Sequence, residues 1–374
     1  MQYPSPANSL VKGTWFKLIC GASFGHLPAI RSLAIAYTLA GADCIDVAAD
    51  LAVIRAATDG FRVASKLAKI DRASDRPWLM VSLNDGTDPH FRKAEFDPTR
   101  CPADCSRPCE RICPADAIAH QGVIDSRCYG CGRCLPICPL GLITTRDRAA
   151  TPSSIFPALA AGEIDAIEIH TQTGHLDDFR RLWGILAPVA HQLKLLAISC
   201  PDSRELIAYL RSIHATISAT YHPHPLPFTL LWQTDGRPMS GDIGAGTTHA
   251  AIKLGEKVLS ANLPGYVQLA GGTNHYTVPK LRERQLLPPT TRTHVHGVAY
   301  GSYARVLLSS ILDELDARTD DPGRLENHPD LLSAAVAIAH ELVGQLKDLS
   351  SSKVDGSVGG KEQEEGVKAA LFPH

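Results

Sequence analysis

Trp78-Leu-Met-Val-Ser82 is a near-continuous apolar run, and a cysteine-rich region begins shortly behind it. A strand without polar alternation is buried on both faces, as in a parallel sheet covered by helices. The same kind of run recurs in both directions along the chain. Phe16-Lys-Leu-Ile-Cys20 and Cys44-Ile-Asp-Val-Ala48 precede it. Asp165-Ala-Ile-Glu-Ile169, Lys194-Leu-Leu-Ala-Ile-Ser199, Phe228-Thr-Leu-Leu-Trp232, Tyr266-Val-Gln-Leu269 and His294-Val-His-Gly-Val298 follow. Helical periodicity fills the intervals, at 27–39, 50–68, 155–161, 175–192, 204–217, 247–260, 278–285 and 303–316, and resumes at 331–346. Eight such units predict an α/β fold, a (β/α)8 TIM-barrel-like closed sheet. The alternative is an open doubly wound α/β sheet.

The cysteines interrupt this alternation after the third strand. Cys128-Tyr-Gly-Cys131-Gly-Arg-Cys134-Leu-Pro-Ile-Cys138-Pro139 is the C-x2-C-x2-C-x3-C-P run by which bacterial ferredoxins hold iron–sulfur clusters. A structural zinc site needs two paired C-x2-C units, or His, and gains nothing from a third close Cys. Upstream, Cys101, Cys105, Cys109 and Cys113 are each four apart, and Cys113-Pro114 repeats the ferredoxin ending. A helix carrying four thiols on one stripe would share this spacing, but Pro108 breaks such a helix. The C-x3-C-x2-C triple of radical enzymes that cleave S-adenosylmethionine does not occur.

Both blocks together read as a two-cluster ferredoxin-like module. By the crossed rule, Cys128, Cys131 and Cys134 share one cluster with Cys113, and Cys101, Cys105 and Cys109 share the other with Cys138. The regular block predicts a 4Fe-4S cluster; the wider one predicts a 4Fe-4S or 3Fe-4S cluster. Domain organisation follows: residues 10–88 give the first βα units, 90–147 the inserted iron–sulfur module, 150–346 the remaining units and a terminal helix. Residues 350–374, charged and Gly/Ser-rich, are expected to be a disordered tail.

The chain has 374 residues, with 37 Lys plus Arg against 39 Asp plus Glu, so no basic field recruits nucleic acid. Between Arg100 and Arg148 there is Arg but no Lys, nearly balanced by Asp104, Glu110, Asp116, Asp125 and Asp147, which reads as a solvated surface or as a docking face for an acidic redox partner. No apolar run is long enough to span a bilayer, and no leader opens the chain; a cytoplasmic, reducing location fits eleven cysteines without a disulfide framework.

Glycine-rich segments follow the seventh and eighth strands, where barrels commonly bind phosphate. Gly271, Gly272, Thr273, Gly301, Ser302 and Arg305 are the candidate residues for a phosphorylated ligand or flavin. The competing reading makes the glycines turn formers and Arg305 a surface partner. A third stretch, Ser240 to Thr248, resembles a helix-capping anion loop without a fingerprint spacing. Cys20, Asp46, Asn84, His170, Cys200, Gln233, Asp235 and Asn274 fall at strand ends and are expected at the mouth or as caps. His294 and His296 share a face if they lie on a strand. Cys20, Cys44 and Cys200 read as buried thiols. No catalytic residue stands out.

Several stretches resemble the cyanobacterial light-dependent period (LdpA) family. They are residues 16–24 and 41–49, Cys101-Pro-Ala-Asp-Cys-Ser-Arg-Pro-Cys109 with its ferredoxin continuation, Asp165–His170 and Leu269–Asn274. The resemblance implies an iron–sulfur protein of the cyanobacterial cytoplasm that feeds light-dependent redox state into the circadian clock, with clock proteins as partners. It carries over only the eight clustered cysteines. The expected function is a redox sensor or electron-transfer protein fed by a reduced electron carrier. The alternative is an oxidoreductase whose clusters serve a phosphorylated ligand or flavin in the barrel mouth.

Overall fold

The computed structural model describes residues 5–68, 76–86, 91–113, 115–147, 150–237, 243–288, 293–318 and 324–347. The expected tail at 350–374, Pro114, and residues 240–242 of the third glycine stretch lie outside them.

Eight parallel strands close on themselves. They are β1 (Trp15–Gly21), β2 (Cys44–Ala48), β3 (Trp78–Asn84), β4 (Ala166–His170), β5 (Leu195–Pro201), β6 (Thr229–Asp235), β7 (Tyr266–Ala270) and β8 (Gly297–Tyr300). Each pairs with its sequence neighbour, and Trp15↔Gly297 through Leu18↔Tyr300 join β1 to β8. That closure removes the open-sheet alternative.

The period-two alternation of each strand sorts its residues into two environments. One set, including Phe16, Leu18, Ile45, Leu79, Val81, Ile167, Leu196, Ile198, Leu269 and Val298, packs with the helices in the main core. The other set points inward. At the N-terminal end it is apolar, with Trp15, Cys44, Trp78, Met80, Ala166, Leu195, Ala197 and Leu231 forming a separate plug. Two residues further along the strands it turns polar, with Lys17, Asp46, Ser82, Glu168, Ser199, Gln233 and Gln268, all buried. The barrel is therefore dry at one end and charged towards the other.

Local chemistry sets the flanking elements. Asp50 Oδ1 accepts from the N–H of Ala52 at 2.8 Å and so starts helix Leu51–Ala68. At the closed end, Asp43 accepts from Phe16 N and from Lys347 Nζ, tying β1 to the terminal helix Pro329–Lys347.

The cysteine module leaves after β3 and returns before β4. Arg92–Glu95 pairs antiparallel with Thr144–Asp147, in the register Arg92↔Asp147 to Glu95↔Thr144. A second hairpin joins Ile118–Ala119 to Gly122–Val123. Ala94, Ala117, Ile118 and Ile143 make a small core with Cys128 and Cys134. Phe91 packs edge-on against His170 (5.2 Å between ring centres), Phe24 edge-on against Tyr129 (5.9 Å), and Gly25 N donates to Ser126 O at 3.1 Å. These contacts seat the module over the C-terminal end of the barrel.

Two expectations need correction. The eighth strand begins at Gly297 rather than His294, because only a residue without a side chain can face Trp15 there: a Cβ on Gly297 would lie 2.5 Å from Trp15 atoms. His294 and His296 consequently precede the strand at the closed end, where His296 packs against Tyr266 and accepts from Val267 N at 3.2 Å. The helix expected at 303–316 is two, Ser302–Leu307 and Ser309–Ala317. A helix through the first cysteine block is also absent among the described residues; Arg107 takes a left-handed φ of 48° and only Pro108–Ile112 is helical.

Candidate functional site: a thiol-lined module over a polar barrel mouth

The cysteine loops show an internal repetition. Asp116 (φ 44°) and Gly141 (φ 60°) take the same left-handed turn three residues after Cys113 and Cys138. That turn aims the next amide back at the sulfur: Ala117 N donates to Cys113 Sγ at 3.2 Å, and Leu142 N donates to Cys138 Sγ at 3.4 Å. Ala94 N donates likewise to Cys128 Sγ at 3.4 Å, so the strand that enters the module also serves a sulfur.

Cys113, Cys128, Cys131 and Cys134 line one hollow of about 440 Å³, together with Gly130, Gly132, Ala115 and Ile118. Cys113 is thus drawn from the first block to the three thiols of the second. Conversely, Cys109 lies within electrostatic reach of Cys138, and Cys101 within reach of Cys105 and Cys109. Burial and the neighbouring thiols Cys131, Cys128 and Cys113 push Cys134 up to about 12. Four thiolates at such close quarters need compensating positive charge, which a cluster supplies. Among the described residues no three ligating side chains are placed to hold one metal ion. The four thiols border one hollow.

Beneath the module, the barrel mouth opens into a cleft of about 650 Å³, solvent-open at its entrance. Gly271, Gly272, Thr273, Gly301, Ser302 and Arg305, the anion-site candidates, all border it. Each also makes contacts within the protein. Gly271 (φ 58°) and Gly272 (φ 92°) lie against Arg237, and a Cβ on either would come within 2.8 Å of it, so packing alone demands glycine. Thr273 Oγ1 donates to Ala299 O at 2.5 Å. Arg305 donates from Nη1 to Ile19 O (2.7 Å) and from Nη2 to Ser302 Oγ (2.9 Å), and lies over the Tyr129 ring.

The strand-end candidates divide. His170, Gln233 and Asp235 border the cleft. Asp46 lies deeper, Cys20 and Cys200 face the helical layer, and Cys44 sits in the apolar plug. Asn84 donates to Gly86 O, and Asn274 organises its own loop through Tyr276 N and Gly244 O.

Lys17 and Glu168, not singled out by sequence, join the candidates Asp46, Gln233 and His170 in the floor. Lys17 contacts Glu168, Asp46 Oδ2 at 3.0 Å and Gln233 Oε1 at 3.0 Å. Gln233 Nε2 donates to Glu168 Oε1 at 2.6 Å, and His170 Nε2 stands 2.9 Å from the same oxygen. Burial opposes ionisation of Glu168, but Lys17 and His170 hold its carboxyl down to about 2. Burial lifts Asp46 to about 6 in spite of Lys17. A lone charge in each of three otherwise apolar strands was the sequence clue. Tyr129, between two cluster cysteines, borders both the thiol hollow and the cleft.

A closed parallel barrel with ferredoxin-type thiol loops over its mouth defines an iron–sulfur barrel protein. Its relatives narrow this further. The sequence model of the LdpA Fe-S cluster-binding domain matches residues 101–149, and that of the light dependent period A C-terminal domain matches 158–345. Over 342 residues the chain is 54% identical to light dependent period A of Synechococcus elongatus, covering 91% of this chain and 94% of that protein. The chain belongs to the light dependent period A family. It is also 38% identical over 63 residues to an uncharacterised ferredoxin of Methanocaldococcus jannaschii, 16% of this chain and 42% of that one. Among solved structures, (S)-3-O-geranylgeranylglyceryl phosphate synthase of Thermoplasma acidophilum, in complex with sn-glycerol-1-phosphate, is similar at 13% identity and a TM-score of 0.37. The alignment covers 93% of this chain and 100% of that one; a likeness at that score carries no argument. No helix among the described residues is long and apolar enough to cross a membrane.

Proposed function

We propose that this protein is a cytoplasmic electron-transfer protein and redox sensor that passes light-dependent redox state to circadian clock proteins. Cys113, Cys128, Cys131 and Cys134 would hold a 4Fe-4S cluster, and Cys101, Cys105, Cys109 and Cys138 a 4Fe-4S or 3Fe-4S cluster. When bound, such clusters store and release single electrons, here received from a reduced carrier. The observation that carries the reading is the repeated turn that aims an amide at Cys113 and at Cys138, since N–H···S bonds tune cluster potential. Clock partners rest on the family alone.

A second reading has one specific support. Tyr129 is shared between the inner thiol hollow and the barrel cleft, so electrons could serve a ligand held in the mouth, which makes the protein an oxidoreductase. One experiment separates the two: anaerobic purification with iron, sulfide and zinc assay, low-temperature EPR before and after dithionite, and mass analysis of released organic molecules. About eight iron atoms per chain, or about seven with a three-iron signal, and no organic ligand support the sensor. The same iron with a bound redox-active molecule supports the oxidoreductase. Zinc in place of iron defeats both.

A further inference from the structure

The two sets of thiols differ in access. Cys128 and Cys134 of the inner set are buried, whereas Cys101, Cys105, Cys109 and Cys138 are all partly open to solvent. The inner hollow shares Tyr129 with the barrel cleft, so the outer set is the one turned away from the barrel. Beside it the short helices Pro108–Ile112 and Cys134–Ile137 pack together. Their ends leave large apolar side chains in water: Ile112 is 38% exposed, Ile137 41%, and Leu140, two residues past Cys138, 53%. Single exposed aliphatic residues are ordinary. These three, however, flank Cys109 and Cys138, which the fold brings within electrostatic reach of each other.

The charge around them has a sign. Residues 100–113 and 133–142 carry Arg100, Arg107, Arg111 and Arg133 against Asp104 and Glu110. That is a positive excess in a chain whose net charge is -2. Arg107 lies within electrostatic reach of Cys101 and Cys105, and Arg111 is exposed. Arginine among aliphatic side chains, with lysine absent, is the composition of a protein–protein contact. A cluster on four thiolates is itself anionic, and cations at its rim are what allow a second anionic centre to approach it.

We infer that this face, centred on Ile137 and Leu140 and rimmed by Arg100 and Arg111, is where a small acidic electron-carrier protein docks. The inference rests on the electron-transfer reading and gives its carrier a surface and a chemistry. One electron passes from the docked carrier to the centre held by Cys101, Cys105, Cys109 and Cys138, and the carrier is oxidised as that centre is reduced.

The test uses the full, iron-loaded chain, its iron and sulfide assayed first. An oxidised acidic ferredoxin of the plant type is the probe, in anaerobic isothermal titration. Binding should lie in the micromolar range at about 20 mM salt and be about tenfold weaker at about 200 mM, as screening removes the attraction. Arg111→Glu and Leu140→Ala change exposed side chains, and each should weaken binding about fivefold or more. Lys12→Glu makes the same charge reversal just before β1, at the closed end of the barrel, and should leave binding unchanged. No binding, binding that ignores salt, or binding that Arg111→Glu leaves intact would overturn the inference, while the iron keeps the electron-transfer reading standing. A chain that pairs with a second copy, and loses that pairing on Leu140→Ala, overturns it in favour of self-association. Absence of iron defeats both.

Discussion

The guanidinium of Arg305 lies 4.2 Å above the ring of Tyr129. One residue follows the last barrel strand; the other sits between two cysteines of the cluster loop. The stack is therefore a joint between module and barrel. A desolvated contact of this type contributes on the order of 1–2 kcal/mol.

Arg305→Ala should loosen that joint. We expect a loss of about 1–2 kcal/mol in urea unfolding and faster bleaching of the visible cluster absorbance in air. Tyr129→Phe keeps the ring face and should behave as wild type in both. Equal bleaching rates for Arg305→Ala and wild type would show that the stack does not shield the inner thiols.

Lys17 is fully buried and holds together carboxylates from β2 and β4. Lys17→Met leaves two buried acids without their cation, and should cost about 3–5 kcal/mol in denaturant unfolding. Glu168→Gln added to Lys17→Met should recover part of that loss, since it removes one of the stranded charges. A double variant no more stable than the single one would mean that the two side chains are not energetically coupled.

His296 supplies a pH dependence away from the cysteines. Burial, together with His294, lowers its pKa to about 4, and Val267 N donates to its Nδ1. The neutral ring is the folded form, so its contribution is complete above the ordinary value of 6.5 and is lost as pH falls towards 4. Stability measured by urea unfolding should fall on the order of 1 kcal/mol between about pH 7.5 and 5. His296→Gln should flatten that slope; an unchanged slope would place the proton uptake elsewhere.

The crossing of thiols between blocks is testable by pairs. Cys113→Ser should change the same EPR signal as Cys131→Ser, although Cys113 belongs to the other block in sequence. Cys138→Ser should change the other signal, with Cys105→Ser. If Cys113→Ser instead groups with Cys105→Ser, the two clusters are held block by block.

Much of the barrel was legible because parallel strands buried on both faces leave a plain apolar record, as at Trp78–Asn84 and Leu195–Pro201. The eighth strand was misplaced by three residues because its register is set by Trp15, a partner far along the chain that needs Gly297 opposite it. The thiol spacing was equally plain, since cluster loops are local. The floor of the cleft was not. Lys17 and Glu168 each look like an isolated polar residue in an apolar run, and their meaning lies in a contact across 151 residues of sequence; Gln233, expected at a strand end, reaches Lys17 across 216 residues. For glycines 271 and 272 the turn is local and readable, but the close neighbour that requires them, Arg237, is not.

Arg92 pairs with Asp147, so the chain enters and leaves the cysteine module at adjacent points. Adjacent entry and exit make the module a cassette. Joining the barrel segments across that gap with a short linker asks no strand of the barrel to move, and the excised piece keeps both of its hairpins and all eight of its clustered thiols.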